Sequence, residues 1–402
     1  MAFSCLSNKT NHHVHSLSLI KNYNGYIYHI STQCNKSSSL IGSDNKSILH
    51  TRERCTRIHY SSMTRLFSSS SSAHFEAPEP PSFTGQPTYP NIDMHKFNLN
   101  DDDNNNNNND DIIERNNHSY KRNSDPNAIY VITGASRGIG LQMVKTLSKR
   151  VQGTIIACCR DPTNATLLQS YINDHHNDNH HTSNIVIHPL DLENQSSINT
   201  LKTFIEEKYN NRVDILLNVA GLLGDGGITT PGPERSIKYL DREWVEKVMA
   251  VNFLGPLFLS QALSPMMMMK RNTRNSKSRD PKNTSIVERQ SNISIIVNLS
   301  ARVGSISDNG LGGWISYRSS KSALNQATKT MSLELKRHGI WTIALHPGTT
   351  DTDLSKPFQR NVKDGRLFPV EFTVDRLLNV IDCMEEEHSG GFYDWSGTAL
   401  PF

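Results

Sequence analysis

The chain has 402 residues, enough by length for two average domains, and its formal net charge of +3 is small and spread along the sequence. So weak a balance gives no reason to invoke nucleic acid, and the lack of about 18 consecutive apolar residues argues against a membrane span. Of six cysteines, Cys5, Cys34 and Cys55 lie near the N-terminus and Cys158, Cys159 and Cys383 further on, which is no disulfide framework and suits a reducing compartment.

Residues 1–73 are rich in Ser, Asn and His and carry Lys9, Lys21, Lys36, Lys46, Arg52, Arg54, Arg57 and Arg65 against only Asp44 and Glu53. That bias is expected of a transit peptide. Arg65-Leu66-Phe67-Ser68-Ser69 resembles a mitochondrial cleavage site, so the mitochondrion is the expected location, with plastid and cytoplasm as alternatives. Residues 74–126 run through Glu-Pro and Asp-Asn tracts with too little apolar surface to offset ordering entropy, and a disordered low-complexity linker is expected there.

From residue 127 to 402 strand-like and helix-like segments alternate, which predicts one α/β domain, a parallel sheet with helices on both faces. Ala128–Thr133 reads as a strand, followed by Gly134-Ala135-Ser136-Arg137-Gly138-Ile139-Gly140 and a helix to Arg150. Glycines so spaced between a strand and a helix start let the backbone approach a pyrophosphate, with the helix N-terminus supplying free N–H groups and a positive dipole end. The next strand, Thr154–Cys159, ends at Arg160, where an acidic residue would hold a ribose hydroxyl and an arginine accommodates a 2′-phosphate; this favours NADP(H), with Arg137 as a second positive charge. Residues 173–184 form a polar insertion whose His175, His176, His180 and His181 lack the cysteines and the buried surroundings of a zinc site, so no metal is expected.

Ile185–His188 leads to Asp191, placed to contact the adenine. Asp214–Leu217 ends in Asn218-Val219-Ala220-Gly221, a small-residue turn beside the cofactor. Trp244–Leu263 reads as a helix with Asn252 among apolar neighbours, either a structural bracket or part of the site. A basic insertion at 270–291 precedes the strand Ser294–Leu299; an exposed loop is expected there rather than a contact for RNA. A long helix opens at Tyr317, and a strand over Trp341–Leu345 ends in His346-Pro347-Gly348. The tail Gly391–Trp395 is expected to pack a last short strand.

Tyr317 and Lys321 are four apart and share a helix face. A neighbouring ammonium lowers a phenol's pKa, which makes Tyr317 a plausible proton donor near neutral pH. With Thr133-Gly134-x-x-x-Gly138-Ile139-Gly140, Asp191, Asn218-x-Ala220-Gly221, Asn252, Tyr317-x-x-x-Lys321, Pro347-Gly348 and Thr352 in this order, the chain resembles a short-chain dehydrogenase/reductase. Leu299–Ile306 with Gly312-Gly313-Trp314 is similar to the C-factor-like and sniffer-like carbonyl reductase branch.

The resemblance implies a Rossmann-type, doubly wound, three-layer α/β/α domain and hydride transfer between a nicotinamide and a small carbonyl or alcohol substrate. It further implies Tyr317 as proton donor and Lys321 on the nicotinamide ribose. Asn252 would position a water in a proton relay, Pro347-Gly348 and Thr352 would face the carboxamide, and the protein would be a homodimer or homotetramer. Two departures stand out. Val219 replaces an Asn of the family pattern, and Ala301 occupies the usual place of the catalytic serine, leaving Ser300 or Ser305 as candidates for its hydroxyl. Losing that donor would cost about 100- to 1000-fold in rate. The alternative reading is therefore a cofactor-binding regulatory protein with little or no catalysis.

Overall fold

The computed structural model describes residues 15–23, 26–35, 54–60, 89–94, 117–176, 183–225, 227–268 and 293–402. The chain divides into two units, residues 1–82 and 83–402. In the first, His15–Tyr23, Tyr26–Asn35 and Arg54–Tyr60 form an antiparallel sheet.

The second unit is built on seven strands: β1 (Ile129–Thr133), β2 (Thr154–Cys159), β3 (Asn184–Pro189), β4 (Ile215–Asn218), β5 (Ser294–Leu299), β6 (Ile340–His346) and β7 (Phe392–Asp394). All pair in parallel, in the order β7-β6-β5-β4-β1-β2-β3. Every residue of β1, β2, β4 and β5 is buried, which is why these segments are continuous apolar runs rather than alternating ones. The strand order reverses direction between β1 and β4, and that switch point opens a crevice at the carboxyl ends of the strands.

Helices cover both faces. On one side α1 (Asn117–Asn123), α2 (Gly138–Arg150), α3 (Thr166–His176) and α8 (Val370–Asp382) flank the sheet; Met143, Val144, Leu168, Leu377 and Ile381 belong to this core. On the other lie α4 (Gln195–Lys208), α5 (Arg242–Met249), α6 (Gly255–Met267) and α7 (Ile315–Leu335), with Ile198, Leu201, Leu259 and Leu263 buried against β1 and β5.

Three sequence expectations are corrected. The boundary at residue 127 is too late. Ile92 is buried in the core, and α1 is fastened by Arg122 to Asp382, 2.9 Å apart and both buried. Such contacts between residues 260 apart leave no local trace in a polar segment. The insertion expected at 173–184 begins later, because α3 continues through His176; residues 177–182 and 269–292, with His180, His181 and the basic insertion, lie outside the described residues. The helix expected over Trp244–Leu263 is interrupted by a π turn at Ala250–Leu254. Pro256 has no N–H to give the carbonyl of Asn252 four residues earlier, so an uninterrupted α-helix cannot be completed there. The helical stretch Arg242–Met267 is also long and apolar enough, by length and composition alone, to cross a membrane, the mean hydropathy of its 18-residue window being 1.2.

Candidate active site

The carboxyl ends of β1, β2, β4, β5 and β6 surround a cavity of about 670 Å³. At its floor the β1–α2 turn is shaped by glycine. Gly134 has φ of +69°, and a Cβ there would stand 2.9 Å from the Cα of Ala220; a Cβ on Gly140 would meet the carbonyl of Gly134 at 2.2 Å. Helix and turn therefore close on each other only without side chains. Thr133 donates its own small contribution from below: its Oγ1 accepts the N–H groups of Val219 (2.9 Å) and Ala220 (3.1 Å), which pins the turn after β4 beside the glycine turn. Ser136, Arg137, Gly138, Ile139 and Gly140 all line the cavity, and α2 starts without a side-chain cap, so its positive end faces the space.

Arg160 and Asp161, at the end of β2, line the same cavity, as does Asp191 after β3. Asp161 does not compete for the ribose. Its carboxylate accepts the N–H and hydroxyl of Thr163 (3.0 and 2.5 Å) and both nitrogens of Asn164, and these bonds, the Thr163 hydroxyl first, hold its carboxyl below the usual range. A helix N-terminus, two arginines and the Asp191 carboxylate, whose Oδ1 accepts the N–H of Glu193 at 3.1 Å, form a lining that fits a phosphorylated dinucleotide.

At the other end, Tyr317 and Lys321 project from the first turns of α7 and line the cavity. Lys321 Nζ donates to the carbonyl of Leu299 at 2.8 Å and lies 5.7 Å from the centre of the Tyr317 ring. Both side chains are buried, and burial dominates their chemistry: it pushes the Lys321 ammonium down to about 8 and the Tyr317 phenol up. The expected lowering of Tyr317 by Lys321 is thus outweighed by desolvation in the protein alone.

The remaining sequence candidates divide. Ala220, Gly221, Pro347 and Thr352 line the cavity. The Thr352 Cγ2 methyl lies 3.5 Å from the position a Cβ on Gly138 would take, so Thr352 stands against the glycine turn. Asn218 turns into the core instead, donating to Asn298 Oδ1 at 2.9 Å. Gly348 (φ +74°) serves packing, since a Cβ would strike the ring of Phe368 at 2.6 Å. Asn252 is a bracket. Its Oδ1 accepts the N–H of Leu222 (2.7 Å) while its Nδ2 donates to the carbonyl of Leu222 (2.8 Å) and to Ser320 (3.1 Å). Its side chain therefore ties the loop after β4 to α7.

Ser300 lines the cavity, but its buried hydroxyl is already engaged, donating to Asn325 Oδ1 at 2.6 Å. Ser305 is bound up in its own turn, accepting from the N–H of Asp308. The methyl of Ala301 packs with Leu223, Val303, Trp314 and Phe358 around Tyr317, so this wall is apolar. Thr133, Ser320, Asn325 and Asn298 hold the site together yet were not legible as functional, because their partners are distant in sequence; only Thr133, inside the glycine motif, carried a local signal.

Fold and site together define a nucleotide-cofactor-binding α/β protein with a Tyr–Lys pair at the crevice. The short chain dehydrogenase family model matches residues 128–277 and 284–363, and the chain belongs to that family. It is 31% identical over 208 residues to the C-signal protein of Myxococcus xanthus, covering 50% of this chain and 100% of that one. It is 28% identical over 287 residues to an uncharacterized oxidoreductase of Schizosaccharomyces pombe, covering 69% and 98%. Among solved structures it resembles an NADPH-bound carbonyl reductase from chicken fatty liver (29% identity, TM-score 0.54, 69% and 99% covered). The carbonyl reductase Sniffer of D. melanogaster is similar at 26% identity, with a TM-score of 0.53 and the same coverage.

Proposed function

We propose that this chain is an NADP(H)-dependent carbonyl reductase, acting on an aldehyde or ketone or on the corresponding alcohol. The observation that carries the reading is the placement of Tyr317 and Lys321 in one cavity with the glycine turn, Arg137 and Arg160. The nicotinamide, when bound, supplies the hydride. The chain's part is positional and protonic. Arg160 and Arg137 would hold the 2′-phosphate, Asp191 the adenine, and Lys321 the ribose hydroxyls next to the reacting ring. Burial keeps the Tyr317 phenol protonated, as a donor to the developing alkoxide must be, and its proton passes to the substrate oxygen.

Ala301 favours a second reading, a cofactor-binding protein of low turnover, because Tyr317 is left without the hydroxyl that usually shares the substrate oxygen. One assay separates the two. The purified protein is expected to oxidise NADPH with 4-nitrobenzaldehyde or cyclohexanone, Y317F to abolish this, and A301S to raise kcat by up to about 100-fold. NADPH binding without turnover by wild type or A301S would leave the regulatory reading. We also propose that residues 1–73 direct the protein to the mitochondrion, as their basic, acid-poor composition suggests.

A further inference from the structure

Helix α7, which presents Tyr317 on its first turn, begins without a cap of its own. Its N-cap residue is Trp314, held in the left-handed region at φ 54°, ψ 41°, and the Trp314 side chain makes no capping bond. Gly312 and Gly313 before it are also left-handed, so the chain enters the helix through three consecutive residues of positive φ, the last of them bulky. For a tryptophan that conformation is costly and persists only where its surroundings impose it.

The imposing residue is Glu234, from the loop between β4 and α5. Its main-chain carbonyl accepts the N–H of Trp314 at 2.5 Å, and its carboxylate Oε2 accepts the N–H of Ser316, the residue before Tyr317, at 3.2 Å. Ser316 is the second residue of the helix, whose N–H a Ser, Thr or Asp at the N-cap would ordinarily satisfy. Glu234 is only 1% exposed, and among the described residues no cation is bonded to its carboxylate; its interaction is with the positive end of α7. Arg318 tightens the same turn, its Nε donating to the Gly313 carbonyl at 2.9 Å and its Nη1 to the Val303 carbonyl at 3.3 Å. Trp314, so placed, sets its ring edge-on to Tyr317, with 6.3 Å between centroids.

We infer that Glu234 is a positioning residue for Tyr317: it caps the catalytic helix from the loop that follows β4 and thereby ties that loop to the direction in which the phenol delivers its proton. The inference rests on the carbonyl reductase reading. Its test compares full-length wild type, E234A and E234Q with NADPH and 4-nitrobenzaldehyde, alongside NADPH affinity by fluorescence and amide exchange over residues 314–318. E234A is expected to lower kcat by about 10- to 100-fold through misplacement of Tyr317, with NADPH affinity unchanged and faster exchange at Ser316. E234Q, whose amide oxygen still accepts from Ser316, should stay within about threefold of wild type. Should E234A not fold, E234Q and E234D decide, since Asp is too short to reach Ser316 and should show the loss that Gln does not. Equal kcat in all variants, or parallel loss of kcat and NADPH affinity, overturns the role of Glu234. A wild type that turns over no carbonyl overturns the reading on which it rests.

Discussion

Lys321 is the residue at which stability and chemistry diverge. The residue is 3% exposed, and its ammonium is bonded to one main-chain carbonyl and pushed by burial from 10.5 to about 8. The unfolded chain therefore holds this proton more firmly than the folded one. Stability is reduced by about 3 kcal/mol below pH 8, and the penalty is relieved as pH rises toward the unfolded value. Relative to K321M, the wild-type melting temperature should climb between pH 7.5 and 10.5; a constant difference would exclude the linkage. NADPH oxidation should fall over the same rise, since discharging the ammonium removes the positive charge beside Tyr317. Tyr317 and Lys321 were legible from their spacing and order. Their protonation was not, because desolvation depends on what the other elements place over them. Ala301 was legible as a departure, but only the structure showed the Ser300 hydroxyl bonded to Asn325 and Ser305 engaged in its own turn.

Among the elements, the strands were the most legible, because strands covered on both faces are unbroken apolar runs. The π turn in the α5–α6 segment was not, since hydrophobic periodicity does not register one extra residue per turn around Asn252. Helix α1 was missed outright, and its attachment carries a prediction. Arg122 donates to buried Asp382, and Ser119 donates to the Asp382 carbonyl at 2.8 Å. R122A leaves that carboxyl buried without its cation and should destabilise by about 3 kcal/mol, read as a lower urea midpoint. The loss should shrink as pH falls, because burial already raises the Asp382 pKa and protonation removes the stranded charge. An unchanged midpoint would mean that α1 is not fastened by this pair.

For the whole molecule, the division of the chain into units 1–82 and 83–402 makes the targeting proposal directly testable. Residues 1–82 fused to a fluorescent protein should colocalise with a mitochondrial marker; diffuse or plastid signal refutes it. By itself, the sequence determined the α/β class, the order of the strands' motifs, the glycine turn and the Tyr317–Lys321 pair, because each depends on contacts within a few residues or on a periodic burial pattern. Tertiary structure alone decided that Asn252 and Asn218 brace the site, and that Glu234 caps the helix bearing Tyr317. The bonds of Asn218, Asn252 and Glu234 have partners elsewhere in the chain, and a side chain's polarity does not say which distant group will come to meet it.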